Sequence, residues 1–157
     1  MNDKKLRVDL VSESEFTVQG HGVHTAFVEM RNQLEKRQDV ILSVNAKPTE
    51  RFDITHIHTM GPFSLRRLLS RNGGKKVITA HVIPDSFIGS LVGAKYWAPL
   101  AGYYLKWFYN RADTILAVSE YTKKGLIGIS VKKTTPILPT TIDQSKYKIS
   151  TPDNLQL

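Results

Sequence analysis

Apolar positions along the chain recur with two different periods, and the changes of period mark its elements. Leu6 to Ser12 alternates, with Arg7, Asp9 and Val11 on one face and Val8 and Leu10 on the other, which predicts a strand. Gly20-His21-Gly22 interrupts it. Val23, Ala26, Phe27, Met30 and Leu34 then follow helical spacing. Val40 to Val44 and Asp53 to His58 predict a second and a third strand. Pro62 suits a first helical position, Phe63, Leu65, Leu68 and Leu69 continue the helix, and Asn72-Gly73-Gly74 closes it. Lys76 to His81 predicts a fourth strand, and an aromatic segment runs from Ile83 to Asn110. Asp113 to Val118 predicts a fifth strand, with Ser119 as N-cap of a helix over Glu120 to Leu126, and Thr135 to Pro139 a last one.

Strands alternating with helices predict an α/β fold, a Rossmann-like doubly wound parallel sheet. Residues 1–143 form one such domain, and 144–157, polar and without period, read as the start of a linker or a frayed tail. Ligands of these sheets bind beyond the carboxyl ends of the strands. Chemistry is therefore expected after Ser12, after His58, at His81 and after Val118.

Composition narrows the partners. Cysteine is absent, which excludes disulfides, thiolate metal sites and cysteine nucleophiles. The N-terminus shows no secretory apolar region. The uncharged aromatic stretch Tyr96 to Leu105 is about half of the ~20 residues that a spanning helix needs. Lys and Arg number 22 against 14 Asp and Glu, a net charge of +8 that favours an anionic partner. No helix-turn-helix, zinc or RNA-binding signature is present, so no nucleic acid is expected.

Four groups of residues carry candidate chemistry. Gly20 and Gly22 precede a helix start, where close backbone approach and free N–H groups favour a phosphate or carboxylate. Thr25 stands where a full G-x-G-x-x-G would have its third glycine, so an ordinary strand-to-helix turn is the plainer alternative. His56 and His58 share a strand face, and with His81 they suggest either a metal site or buried, hydrogen-bonded core histidines. In the aromatic helix, Trp97, Leu100, Ala101, Tyr104, Leu105 and Phe108 are expected to face the core. Tyr96, Tyr103 and Trp107, near Lys95 and Lys106, suit either a neighbouring helix or a membrane interface. Arg66, Arg67, Arg71, Lys75 and Lys76 form a basic patch able to meet lipid headgroups, or simply a solvated face.

Five weak motifs in order carry a resemblance. Gly22-Val23-His24-Thr25, Asp53-Ile54-Thr55-His56-Ile57-His58, Val77-Ile78-Thr79-Ala80-His81 and Ala112 to Glu120 resemble the N-terminal domain of GT-B glycosyltransferases of group 1, family 4. Leu138-Pro139-Thr140-Thr141-Ile142-Asp143 stands where that family has Ile-Pro-Asn-Gly-Val-Asp. The match runs from Leu6 to Asp143. Within the family, His58 to Ser64 and Phe108 to Asp113 are similar to bacterial diacylglycerol glucosyltransferases of glycolipid biosynthesis.

The resemblance implies an enzyme that transfers a sugar from a nucleotide-sugar to a hydroxyl acceptor, with retention and with no cofactor or metal. The acceptor would bind this domain and the donor a C-terminal one, supplied in cis or in trans, without which the chain is expected to be inactive. His81 would be catalytic, reaching the transferred sugar. Gly20 and Gly22 would approach the donor diphosphate and the acceptor, while His58, Ser119 and Glu120 would line the cleft. Arg66, Arg67, Arg71, Lys75, Lys76, Tyr103 and Trp107 would meet an anionic membrane, placing a cytoplasmic protein peripherally on the inner face of the cell membrane. Three departures stand out: Thr140-Thr141 for Asn-Gly, His21 between the glycines, and an end at Leu157, before the donor domain's basic pair and Glu-x7-Glu. The alternative function is a non-catalytic Rossmann-like module that binds lipid or sugar.

Overall fold

The computed structural model describes residues 4–16, 22–83, 94–131 and 136–137, with the backbone alone for 94–98. In chain order these are β1 (Leu6–Val11), a single 3-10 turn (Glu13–Glu15), α1 (Gly22–Glu35), β2 (Val40–Val44) and β3 (Ile54–Ile57). There follow α2 (Pro62–Leu69), β4 (Lys75–Ala80), α3 (Ala94–Tyr109), β5 (Thr114–Ala117) and α4 (Glu120–Gly128). The strands form one sheet in the order β2-β1-β3-β4-β5, every pair parallel. The α/β, Rossmann-like expectation therefore holds, and element ends move by only a residue or two. Ile137 makes an isolated parallel bridge to Ala117, where the sixth strand was expected. Most of that strand and Leu138 to Asp143 lie outside the described residues.

The two sheet faces are covered unequally. Odd-numbered residues of β1 and β3 and even-numbered ones of β4 face a continuous apolar core with three helices. Val11, Ile57, Ile78 and Ile115 supply the floor, Leu68 of α2, Leu105, Phe108 and Tyr109 of α3, and Leu126 of α4 the cover. Each such large side chain contributes about 1.5–3 kcal/mol on burial. Among the described residues the opposite parity faces α1 alone, where Phe27 of α1 and Leu10 of β1 are buried.

One row of the packed face is polar. The register sets Asp9 beside Thr55 and Thr55 beside Lys76. Arg67 of α2, fully buried, reaches down to bond the buried Asp9, whose second oxygen accepts from the Ala46 N–H at 3.0 Å. Helical spacing accounts for this: Arg67 lies on the inward stripe of α2 with Ser64 and Leu68. The Arg67 guanidinium also lies 4.9 Å from the Phe52 ring. Lys76 is 7% exposed, and its ammonium is held below the usual lysine range by burial and by the Arg67 charge. Arg67 and Lys76 thus leave the predicted basic surface patch, whereas Arg66, Arg71 and Lys75 are exposed.

Two turns carry special backbone demands. Gly74, at φ +58°, lets Lys75 N–H bond the Asp53 carbonyl at 2.9 Å, and a Cβ there would lie 2.1 Å from that carbonyl oxygen. The helix α2 begins with Pro62 after Gly61, which has no side chain to cap it. Its cap comes from fifty-one residues earlier: the Glu13 carboxylate accepts from the Ser64 N–H and hydroxyl, each at 2.7 Å, and from the Thr59 hydroxyl.

In α3, Leu105 and Phe108 are buried as expected, but Leu100 is 73% exposed and Tyr104 reaches the surface. The stripe drawn through Leu100, Tyr104 and Phe108 mixes two faces. The buried side is instead Leu105, Phe108 and Tyr109, with the Tyr109 hydroxyl donating to the Val82 carbonyl at 2.7 Å. Side chains of Tyr96 and Trp97 lie outside the described residues.

Candidate functional site

In a sheet ordered 2-1-3-4-5, the chain leaves β1 and β3 toward opposite faces and opens a crevice at their carboxyl ends. The local hydrogen bonds fix both rims. His58 N–H donates to the Val11 carbonyl at 2.9 Å, and Glu13 N–H to the Thr59 hydroxyl at 2.9 Å. Ser12 is held by Asn45 from the β2 side, its N–H donating to Oδ1 at 2.9 Å. Burial pushes the Glu13 carboxyl up, but the Ser64 N–H and the Thr59 and Ser64 hydroxyls outweigh it and hold it below the carboxylate range. Glu13 is therefore an ionised tie between the β1 and β3 loops. Nothing in the local sequence marks it, because its partners are 46 and 51 residues away.

Three histidines converge on the carboxyl ends of β3 and β4. The ring centroids of His56 and His58 are 4.7 Å apart, and those of His58 and His81 are 5.8 Å apart. Phe27 of α1 meets His58 edge-on at 5.7 Å. His56 Nε2 pairs with the Thr79 hydroxyl at 2.8 Å, the buried core histidine that was one of the two readings. Burial and the neighbouring His81 push the His56 ring down to about 4. Burial also drives His58 well below the ordinary histidine range, with help from His56 and His81. His56 and His58 are thus neutral imidazoles near pH 7, able to donate and accept hydrogen bonds without carrying charge. Among the described residues no group of three or more His, Cys, Asp or Glu is placed to hold a metal ion.

The histidines line one end of a cavity of about 560 Å³ between the sheet and one flank of α1. Its floor is Val8, Ile54, Val77 and Leu116, its wall Met30 and Leu34 together with Glu29, Gln33 and Arg37. His81 and Val118 stand at the same end as His58, so two of the expected strand-end positions, after β3 and after β4, are brought together.

The other candidates are spread more widely. Gly22 opens α1, and a side chain there would meet open space; Gly20 lies outside the described residues. Ser119 caps α4, its hydroxyl accepting from the Thr122 N–H at 3.1 Å, so that oxygen serves the helix first. Glu120 is exposed in the first turn of α4. Tyr103 and Trp107 are exposed on α3, with the Arg111 guanidinium 4.3 Å from the Trp107 ring. No helix among the described residues is long and apolar enough to cross a membrane.

Comparison with known proteins agrees with this architecture. Residues 7–146 match the family described as Glycosyltransferase Family 4. The chain is 30% identical over 151 residues to the alpha-galactosylglucosyldiacylglycerol synthase of Streptococcus pneumoniae (strain ATCC BAA-255 / R6). That match takes in 94% of this chain and 40% of the relative's length. A match over nearly the whole described sheet, with the predicted motifs in order, makes this chain a member of Glycosyltransferase Family 4.

Proposed function

We propose that this chain is the acceptor-side domain of a retaining glycosyltransferase that moves a sugar from a nucleotide-sugar to a hydroxyl of a membrane glycolipid. The observation that carries the reading is the meeting of His58 and His81 beside the β1/β3 crevice, in a Family 4 chain. A relative named as a synthase of a galactosylglucosyl diacylglycerol supports a glycolipid acceptor.

In this reading His81 reaches the transferred sugar from the end of β4. Backbone N–H groups at the start of α1, with Gly20 and Gly22, meet the leaving diphosphate. Donors fixed in place before charge develops stabilise the transition state without reorganising. His58, Ser119 and Glu120 shape the acceptor side. No metal takes part. The donor nucleotide is held by a second domain, in cis or in trans. Exposed Arg66, Arg71 and Lys75, with Tyr103 and Trp107, attract the domain to an anionic bilayer, each basic residue contributing about 1 kcal/mol near the surface.

The test is sugar transfer from radiolabelled nucleotide-sugars to a panel of lipid acceptors, by this chain joined to a donor domain. Transfer to glycolipid acceptors is expected, and His81→Ala is expected to lower it on the order of 100-fold with circular dichroism unchanged. Near-normal turnover by His81→Ala would defeat the role given to His81. Absence of transfer by the folded two-domain protein would defeat the reading as a whole.

A further inference from the structure

We propose that the cavity beside α1 holds the hydrocarbon chain of a hydroxyl-bearing amphiphile, its polar end against His58 and its chain running along the sheet toward Leu6 and Val40. This rests on the glycolipid reading above and deepens it, by assigning where the chain of the acceptor lies.

Three observations carry it. The first is polarity along the cavity. At one end stand the histidine rings and Thr79, and away from them the floor is aliphatic, with Ile54, Val77 and Leu116, while Glu29 and Gln33 of α1, and Arg37 just beyond it, join the wall. An amphiphile has the same gradient. The second is His58, which is 97% buried yet has no hydrogen-bond partner among the described residues at either Nδ1 or Nε2. A neutral imidazole presents one donor and one acceptor, and buried polar groups are otherwise almost always satisfied. A hydroxyl offers the complementary acceptor and donor in one group. A helix or a second copy laid over the aliphatic floor has no need of such a pair at one end.

The third is size and position. A volume of about 560 Å³ lies inside the roughly 300–1,000 Å³ of small-molecule sites. Ile54 to His58 spans about 13 Å of extended strand, long enough to stretch an alkyl chain beside it. The polar end opens beside His81, so a hydroxyl held at His58 lies next to the position proposed for sugar transfer.

The experiment titrates the 157-residue chain with monoacylglycerols of increasing chain length, each below its micelle concentration. Binding is followed calorimetrically and by ¹⁵N shifts of the labelled histidine rings. Affinity is expected to rise about fourfold per added methylene, then level once the chain outgrows the cavity, with the His58 ring nitrogens shifting on binding. Val77→Trp and, as a second filling variant, Leu116→Phe should each weaken binding at least tenfold with circular dichroism unchanged, while Ile127→Ser, exposed on α4 across the sheet, should not. An affinity that climbs without levelling, or that ignores both folded variants, would overturn the assignment in favour of adsorption on an open surface. So would unshifted His58 nitrogens, which would leave water as their partner, or self-association that competes with the lipid, which would make a second copy the occupant. Transfer to lipid acceptors by a two-domain protein carrying Val77→Trp, with unchanged KM, would remove this inference and leave the proposed function standing. Lack of lipid transfer by the wild-type two-domain protein would remove the function instead.

Discussion

The two faces of the sheet are built on different terms. One is closed by α2, α3 and α4 over a continuous apolar core, with a single buried polar row of Asp9, Thr55 and Lys76 crossed by Arg67. Among the described residues the other is covered along one side by α1 and otherwise opens into a cavity that ends in three imidazoles. Burial on the first face supplies stability. The second keeps apolar surface and unsatisfied polar atoms beside the strand ends, as binding sites do at a local cost to the fold. The contrast yields a graded set of expectations.

The largest concerns the buried pair. Asp9→Ala leaves the Arg67 guanidinium without its carboxylate at full burial. Loss of one partner of a buried ion pair costs roughly 3–5 kcal/mol, so urea unfolding should shift by that amount or the chain should fail to fold. Asp9→Leu combined with Arg67→Met should recover much of the loss. A double variant no better than the single one would show that the pair acts through more than charge.

Next come two neighbours in β4 that point to opposite faces. Ile78 is buried in the closed core, and Val77 lies on the cavity floor. Ile78→Ala should cost about 3 kcal/mol, within the range for large-to-small core changes, whereas Val77→Ala should cost under about 1 kcal/mol because its surroundings are already open. Equal costs would mean that the second face is as closed as the first.

Acid should act on the open face. The His56 ring is pushed from its ordinary 6.5 down to about 4, so the unfolded chain binds its proton at a higher pH than the folded one does. Stability from this group is complete above about pH 6.5 and is lost as the pH falls toward 4, on the order of 2 kcal/mol by about pH 5. Protonation of His58, depressed in the same sense, adds to the loss. His56→Gln, which keeps a partner for Thr79, should flatten the fall in urea midpoint between about pH 6.5 and 5. An undiminished fall would assign it to other groups.

Much of the fold was legible because its signals are local. Alternation in Leu6 to Val11, the Pro62 start and the Ser119 cap each determine their own neighbourhood, whereas α2 ends at Leu69 with Ser70 as its cap, ahead of the Asn72-Gly73-Gly74 closure that was expected. The strand-end rule drew attention to His58 and His81, and the sheet does bring them together. What escaped was set by tertiary partners. Glu13 gains its importance from Thr59 and Ser64, which no spacing rule connects to it. Arg67 and Lys76 were grouped with their charged neighbours by proximity in sequence, although the inward stripe of α2 and an acidic residue inside β1 pointed to a buried pair. Leu100 and Tyr104 were assigned inward from helical period alone, and period gives a stripe without saying which of two adjacent stripes meets the sheet.

The smallest expected effect on stability tests the outer surface against both faces. With Arg67 and Lys76 inside the fold, the basic residues left for a bilayer are Arg66, Arg71 and Lys75, all exposed. Charge reversal at Arg66 and Arg71 touches no buried group, so unfolding should change by within about 0.5 kcal/mol. Binding to vesicles containing anionic lipid should nonetheless weaken, by about 1 kcal/mol for each basic residue lost and more for reversal, and high salt should weaken the wild type in the same way. Arg67→Glu would confound this measurement by unfolding the domain. Vesicle binding that survives Arg66→Glu with Arg71→Glu, and survives salt, would pass the membrane contact to the uncharged stripe of Leu100, Tyr103 and Trp107 on α3, where apolar area rather than charge sets the affinity.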